Sequence, residues 1–320
     1  MPFTLNPEVG AGLAKLFGTG PPPPPPEVGD VKTRRERVGL LFNILKDFVP
    51  AVLDVETKDF HTKADDGHDI LCRWFTKTGS KLSGSSAICY AHGGGMISLN
   101  VDFFDEPIKR YVSRTGVPFM AIEYRLAPEV QAPIPVTDTY AGLQYLHDHA
   151  AELGVDPARI GVMGDSAGGG IAASLAHYVK AKKGPAVCKQ ILIYPMLDDR
   201  NISVDPEIAP FAIWSMGDNE TGWGALLGDR RGGEDVKPFE AAARMTVEDA
   251  RDLPPAYIDV GELDIFRDED LEYARKLGQA GVSCEFHLVP GAPHAFEYFA
   301  PESEVARTTM ESRHKAIKSF

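Results

Sequence analysis

Two glycine-rich strings, each closing an apolar run, constrain this chain more than anything else in it: His92-Gly93-Gly94-Gly95 and Gly164-Asp165-Ser166-Ala167-Gly168-Gly169. The first follows Ser86-Ala87-Ile88-Cys89-Tyr90-Ala91 and the second follows Arg159-Ile160-Gly161-Val162-Met163, runs with the length and composition of buried strands. The second string fits G-x-S-x-G, a strand-turn-helix elbow that holds its serine in a strained backbone conformation and projects the hydroxyl above a sheet. A side chain at Gly164 or Gly168 would collide with the neighbouring strand or helix where the turn is sharpest. Helix formers from Gly170 to Ala176 supply the third part of the elbow. In the first string, consecutive glycines leave backbone N–H groups bare, so that they can approach a developing oxyanion. The N–H of Ala167, at the helix start, adds another donor.

A nucleophilic serine needs a base, and after this elbow the chain order is Ser, then Asp or Glu, then His. His287, His294 and His314 follow at a distance. His287 sits inside the alternating strand Cys284 to Val289, and His314 lies between Arg313 and Lys315 in a terminal helical stretch that reads as solvated. His294 stands in Gly291-Ala292-Pro293-His294-Ala295-Phe296, a turn just past a strand, where catalytic side chains are carried. The orienting acid belongs in the loop after Ala256-Tyr257-Ile258-Asp259-Val260, and Asp264 is the candidate there, with Glu262 as second choice. Asp259 falls within the strand. Asp268, Glu269 and Asp270 read as the acidic first turn of a solvated helix, meeting its dipole.

Strand signals near 86–91, 117–123, 159–163, 190–194, 256–260 and 283–289 alternate with helical intervals, the pattern of an α/β fold with a mostly parallel sheet covered on both faces. Weaker signals around Phe60 and Leu71 to Phe75 suggest an antiparallel edge. Two regions stand outside this pattern. The N-terminal one is broken by Pro21 to Pro26, a polyproline II spacer, and then carries Val38, Leu41, Leu45 and Phe48 at helical spacing, predicting an amphipathic helix over 37–49. The other, residues 198–251, holds Phe211, Ile213, Trp214, Met216, Trp223, Leu226 and Leu227 among many glycines.

With these motifs in order, the chain resembles the α/β-hydrolase esterases of the hormone-sensitive lipase family. Tyr124-Arg125-Leu126-Ala127-Pro128-Glu129 and Tyr194-Pro195 match family stretches after two strands. The family's D-P-L-x-D-E is represented by Asp264-Ile265-Phe266-Arg267-Asp268-Glu269, which keeps the acids and replaces proline and leucine. Glu123 stands where an aspartate is commoner. The resemblance spans residues 50–320. It implies a carboxylesterase with Ser166 as nucleophile, His294 as general acid and base, and Asp264 as orienter. The oxyanion hole it implies comprises Gly93, Gly94, Gly95 and Ala167, Gly93 shaping the loop. It also implies an N-terminal cap segment (1–50) and a cap insertion (198–251) over a core of 51–197 and 252–320. Phe211, Trp214 and Leu226 are the cap candidates for a pocket that limits the acyl group to short or medium chains.

The fold also serves receptors that bind without catalysis, such as the plant gibberellin receptor, but that type lacks the histidine that His294 supplies here. Amides, lactones and carbamates would use the same groups, so the sequence does not choose among them. The family implies a possible homodimer.

Composition agrees. The 320 residues suit one large core plus a cap, and the formal charge of −13 (33 basic against 46 acidic side chains) argues against nucleic acid and anionic membrane surfaces as partners. No apolar run approaches the ~18 residues of a membrane span. The first 20 residues lack the basic start and apolar core of a signal peptide, so a cytoplasmic location is expected. Cys72, Cys89, Cys188 and Cys284 form no C-x-x-C pair, no His pair has zincin spacing, and no phosphate or dinucleotide loop occurs, so neither metal nor cofactor is expected.

Overall fold

The computed structural model describes residues 3–18, 20, 24–47 and 51–320. Eight strands form one sheet: β1 (Val55–Lys63), β2 (Asp69–Lys77), β3 (Ser85–Ala91), β4 (Phe119–Ile122), β5 (Val155–Asp165), β6 (Lys189–Ile193), β7 (Ala256–Gly261) and β8 (Cys284–Val289). Their spatial order is β1-β2-β4-β3-β5-β6-β7-β8. β2 pairs antiparallel with both β1 and β4, and every pair from β4 to β8 is parallel. The weak early signals are therefore the antiparallel edge.

Strand alternation divides the core between the two faces of the sheet. Ala87, Cys89 and Ala91 of β3 point one way, and Ile88 and Tyr90 the other. The first face is covered by α4 (Ile134–Asp148), α5 (Ala167–Lys182) and α8 (Arg267–Gln279) through Leu143, Leu146, Ile171, Leu175, Tyr273 and Leu277. The second is covered by α3 (Val101–Thr115) and α10 (Glu304–Ile317) through Phe104, Ile108, Val112, Ala316 and Ile317. Burial on both faces is why β4, β6 and β7 read as continuous apolar runs.

Residues 198–251 form α6 (Met216–Leu227), α7 (Val247–Ala250) and short 3-10 turns between β6 and β7. At the N-terminus, α1 (Pro7–Phe17) packs on the segment beyond β8: Val9 is buried with Val289, Ala292 and Phe296, the last of these in α9 (Phe296–Phe299). The amphipathic helix is α2 (Val31–Asp47), which begins six residues before the expected start. Its first two turns carry few apolar residues, so hydrophobic spacing missed them. They are held instead by Asp30, whose carboxylate accepts from the Thr33 N–H at 3.0 Å, and by the buried Arg34, whose Nε donates to Asp218 of α6 at 2.8 Å. Phe48, Val49 and prolines 21–23 of the spacer lie outside the described residues.

Two expectations of solvation are overturned. Glu269 and Asp270 turn inward from α8, with Asp270 fully buried. Glu269 is held there by the N–H groups of Leu197 (2.6 Å) and Asp198 (3.2 Å) and by Asn201 Nδ2 (2.8 Å). On α10, Arg313 is also fully buried, because Asp259 in the middle of β7 takes its guanidinium through two 2.8 Å hydrogen bonds. His314 beside it is half-buried, edge-on to the Tyr111 ring, and burial lowers its pKa to about 4.

Candidate active site

Ser166 stands between β5 and α5 with φ 55° and ψ −120°, a backbone conformation that costs a non-glycine residue of order 1–3 kcal/mol and persists only where the surroundings impose it. The surroundings here are backbone. The Ser166 N–H donates to the Ile193 carbonyl at 2.8 Å, and its own carbonyl accepts from Gly170 (3.0 Å) and Met196 (2.9 Å). A Cβ on Gly164 would overlap the Gly168 carbonyl, and one on Gly168 would overlap that of Ala91, so the flanking glycines are a steric requirement.

His294 Nε2 lies 3.0 Å from Ser166 Oγ, and its Nδ1 lies 2.6 Å from Asp264 Oδ2. An ionised carboxylate only accepts, so Nδ1 carries the proton and Nε2 presents its lone pair to the serine hydroxyl. Asp264 is buried, and its other oxygen accepts from the Phe266 N–H at 3.0 Å. The His294 ring is held edge-on by Tyr194 (centroids 4.6 Å apart) and Phe266 (5.3 Å). Glu262, the second choice of acid, turns elsewhere: it accepts from the Gly291 N–H at 2.9 Å and braces the turn that carries His294.

Among the described residues, no hydrogen bond uses the N–H of Gly94, Gly95 or Ala167. The Gly94 carbonyl is occupied by Ile97 N (3.2 Å), Ser98 N (3.0 Å) and Ser98 Oγ (2.7 Å), which folds 94–98 into a tight turn with φ of 121° at Gly94 and 65° at Gly95. Gly93 backs onto the elbow, where a Cβ would come within 2.9 Å of Asp165 Oδ2. Burial pushes the Asp165 carboxyl up to about 6, and it accepts from the Tyr90 hydroxyl. His92 stacks between Tyr124 and Phe104, and burial lowers its pKa to about 4, so it is neutral and its Nδ1 donates to the Gly93 carbonyl at 2.8 Å.

Of the three cap candidates, Trp214 covers Gly95: a Cβ there would meet the indole ring. Leu226 is buried in the core cluster, its carbonyl accepting from Ala132 N at 3.0 Å. Phe211 is half-buried on the 3-10 turn Ala209–Phe211. An open cavity of about 670 Å³ lies beyond the glycine loop, walled by Arg35, Leu99, Glu123, Tyr124, Arg125 and Glu129, with no member of the Ser166–His294–Asp264 chain in its lining. Among the described residues no three His, Cys, Asp or Glu side chains converge as a metal-sized group, and no helix is long and apolar enough to cross a membrane.

Residues 88–298 match the model of a family described by its α/β-hydrolase fold. The chain belongs to the α/β-hydrolases, in the hormone-sensitive lipase family. Within that family, esterase LipI of Mycobacterium tuberculosis is 31% identical over 225 residues, 67% of this chain and 66% of the relative. Carboxylesterase NlhH of the same organism is 34% identical over 219 residues, 67% of each chain. The matched stretch thus spans about two thirds of these relatives' length. Likeness to a bacterial heroin esterase covers 99% of this chain and 98% of that one, at 32% identity and a TM-score of 0.87.

One departure from the common α/β-hydrolase pattern has a structural role that its sequence did not reveal. The Glu123 carboxylate, at the end of β4, accepts from the Val101 N–H at 2.8 Å and caps α3, whose own N-cap residue Asn100 makes no side-chain capping bond.

Proposed function

We propose that this carboxylic-ester hydrolase works by acyl transfer to Ser166, with His294 as general base and then general acid, and Asp264 holding the imidazole. The supporting observation is the unbroken Asp264–His294–Ser166 chain at 2.6 and 3.0 Å. As Ser166 Oγ attacks the ester carbonyl, its proton passes to His294 Nε2, and the imidazolium is stabilised by the buried carboxylate. The new oxyanion is received by the N–H groups of Gly94, Gly95 and Ala167. Collapse expels the alcohol, which takes the proton from Nε2. Water then repeats the sequence on the acyl-enzyme and releases the acid. The imidazole must be neutral to act as base.

Residues 1–50 and 198–251 form the cap on this reading, and Trp214 over Gly95 sets a low roof. Gly222 of α6 supports it, lying so close that a Cβ there would come within 2.8 Å of the Gly95 carbonyl. Short- and medium-chain acyl groups fit beneath such a roof better than long ones. A rate series on p-nitrophenyl esters of increasing acyl length, with Ser166→Ala as control, tests both parts. Turnover by Ser166→Ala protein refutes the mechanism. Faster hydrolysis of a long-chain emulsion than of a butyrate ester refutes the acyl range.

A further inference from the structure

The turn that carries the oxyanion donors is strained, and one side chain from the N-terminal segment grips it. Four residues between 94 and 99 have positive φ: Gly94, Gly95, Met96 at 62° and Leu99 at 68°. Glycine adopts this freely, but at Met96 and Leu99 it persists only where the surroundings impose it. The Met96 carbonyl accepts from Ala127 N at 2.9 Å. The next carbonyl, Ile97, takes Arg35 Nε at 2.5 Å. The same guanidinium gives Nη2 to the Ala127 carbonyl (2.9 Å) and grips Glu129 through Nη1 to Oε1 (2.7 Å) and Nη2 to Oε2 (2.6 Å). One planar fork thus joins three segments: α2, the glycine turn after β3 and the loop after β4.

We infer that Arg35 is a positioning residue for ester hydrolysis: it fixes the glycine turn so that the N–H groups of Gly94 and Gly95 aim at the developing oxyanion. This rests on the oxyanion role proposed above. The fork matters as much as the charge. A lysine ammonium has three donors at one point and cannot meet two carbonyls and a bidentate carboxylate lying around a plane. Glu129 completes the grip by holding the guanidinium in that plane. Arg35 touches no reacting atom, so its loss weakens oxyanion stabilisation while substrate binding persists.

The test compares Arg35→Met, Arg35→Ala, Arg35→Lys and Glu129→Ala with wild type, each rate divided by the active sites counted from the burst amplitude. Arg35→Met is expected to lower kcat about 30- to 100-fold with KM changed less than about threefold, a loss comparable to that of one oxyanion donor. Inhibition by a trifluoromethyl ketone, which mimics the tetrahedral adduct, weakens in parallel. Arg35→Lys recovers little of kcat, whereas millimolar guanidinium restores part of it to Arg35→Ala. Arg37→Gln, two residues along α2 and on its other side, serves as the unaffected control. A purely structural Arg35 would lower Tm and the titratable fraction but leave kcat per active site unchanged, and that result overturns the proposal. Should Arg35→Met fail to fold, Glu129→Ala at the exposed end of the pair still decides: kcat reduced about three- to tenfold supports the grip. Wild-type kcat in both Glu129→Ala and Arg35→Lys overturns it. Turnover in Ser166→Ala would bring down the underlying mechanism instead, so the two failures are distinguishable.

Discussion

Tyr194 stands edge-on to the His294 ring at 4.6 Å, and its hydroxyl donates to Glu297 at 2.7 Å, which in turn accepts from the buried Arg313. The wall behind the imidazole is therefore tied to the C-terminal helix by a buried polar network. Tyr194→Phe keeps the ring and removes the tie. Urea unfolding should show a loss of about 1–1.5 kcal/mol, with kcat reduced less than about tenfold. A tenfold or larger loss without destabilisation would assign the hydroxyl a direct part in the chemistry.

Asp264→Asn should lower kcat about 10³- to 10⁴-fold with the fold intact, because an amide no longer fixes the Nδ1 proton or stabilises the imidazolium. Glu262→Gln, by contrast, should retain kcat within about threefold, since that carboxylate only braces the Gly291 turn. Steady-state rates on a short-chain ester separate the two. The reverse ranking would move the orienting role to Glu262.

Gly95→Ala combines two costs: a φ of 65°, worth about 1–2 kcal/mol for a residue with a Cβ, and a collision with the Trp214 ring. At least about a 100-fold loss of kcat is expected. Adding Trp214→Ala removes the collision and leaves the backbone cost, so the double variant should regain part of the rate. No recovery would show that the indole is not the obstacle.

Burial, with Glu269, Asp264 and Asp259 nearby, holds the Asp270 carboxyl well above the ordinary range, and neither of its oxygens has a hydrogen-bond partner among the described residues. From the ordinary carboxyl titration near pH 4 up to that raised value, the folded state keeps a proton that the unfolded chain has released. Stability therefore falls as pH rises across the interval. Asp270→Asn removes the titration, so its stability relative to wild type should be near parity at pH 4 and clearly higher at pH 8, measured by urea unfolding. Equal differences at both values would place a counter-charge or solvent beside Asp270.

Where chemistry demands particular residues at close spacing, the sequence is transparent. Ser166, Asp264 and His294, singled out from motif and chain order, are the three side chains that meet. Strands β3 to β7 are legible because burial on both faces makes them apolar runs, and the edge strand β8 because its residues alternate. Arg35 is silent by comparison: its carbonyl partners lie 62 and 92 residues away, and no local pattern distinguishes it from the arginines around it. Glu269 and Arg313 look like solvated helix residues for the same reason. One of them left a signal. A charged Asp259 in the middle of an apolar strand has to find a counter-charge, and a basic residue on a covering helix is the place to seek it.

The hydrogen bonds of the Ser166–His294–Asp264 chain join residues 128 and 30 positions apart, drawn from the ends of β5, β7 and β8. β8 is the outermost strand on its side of the sheet and the last strand to leave a ribosome. Hydrolysis is thus a gauge of completed folding. In a refolding chain, helical signal returns as local segments form, while turnover waits until β8 has docked on β7 and brought the histidine turn within reach of the elbow.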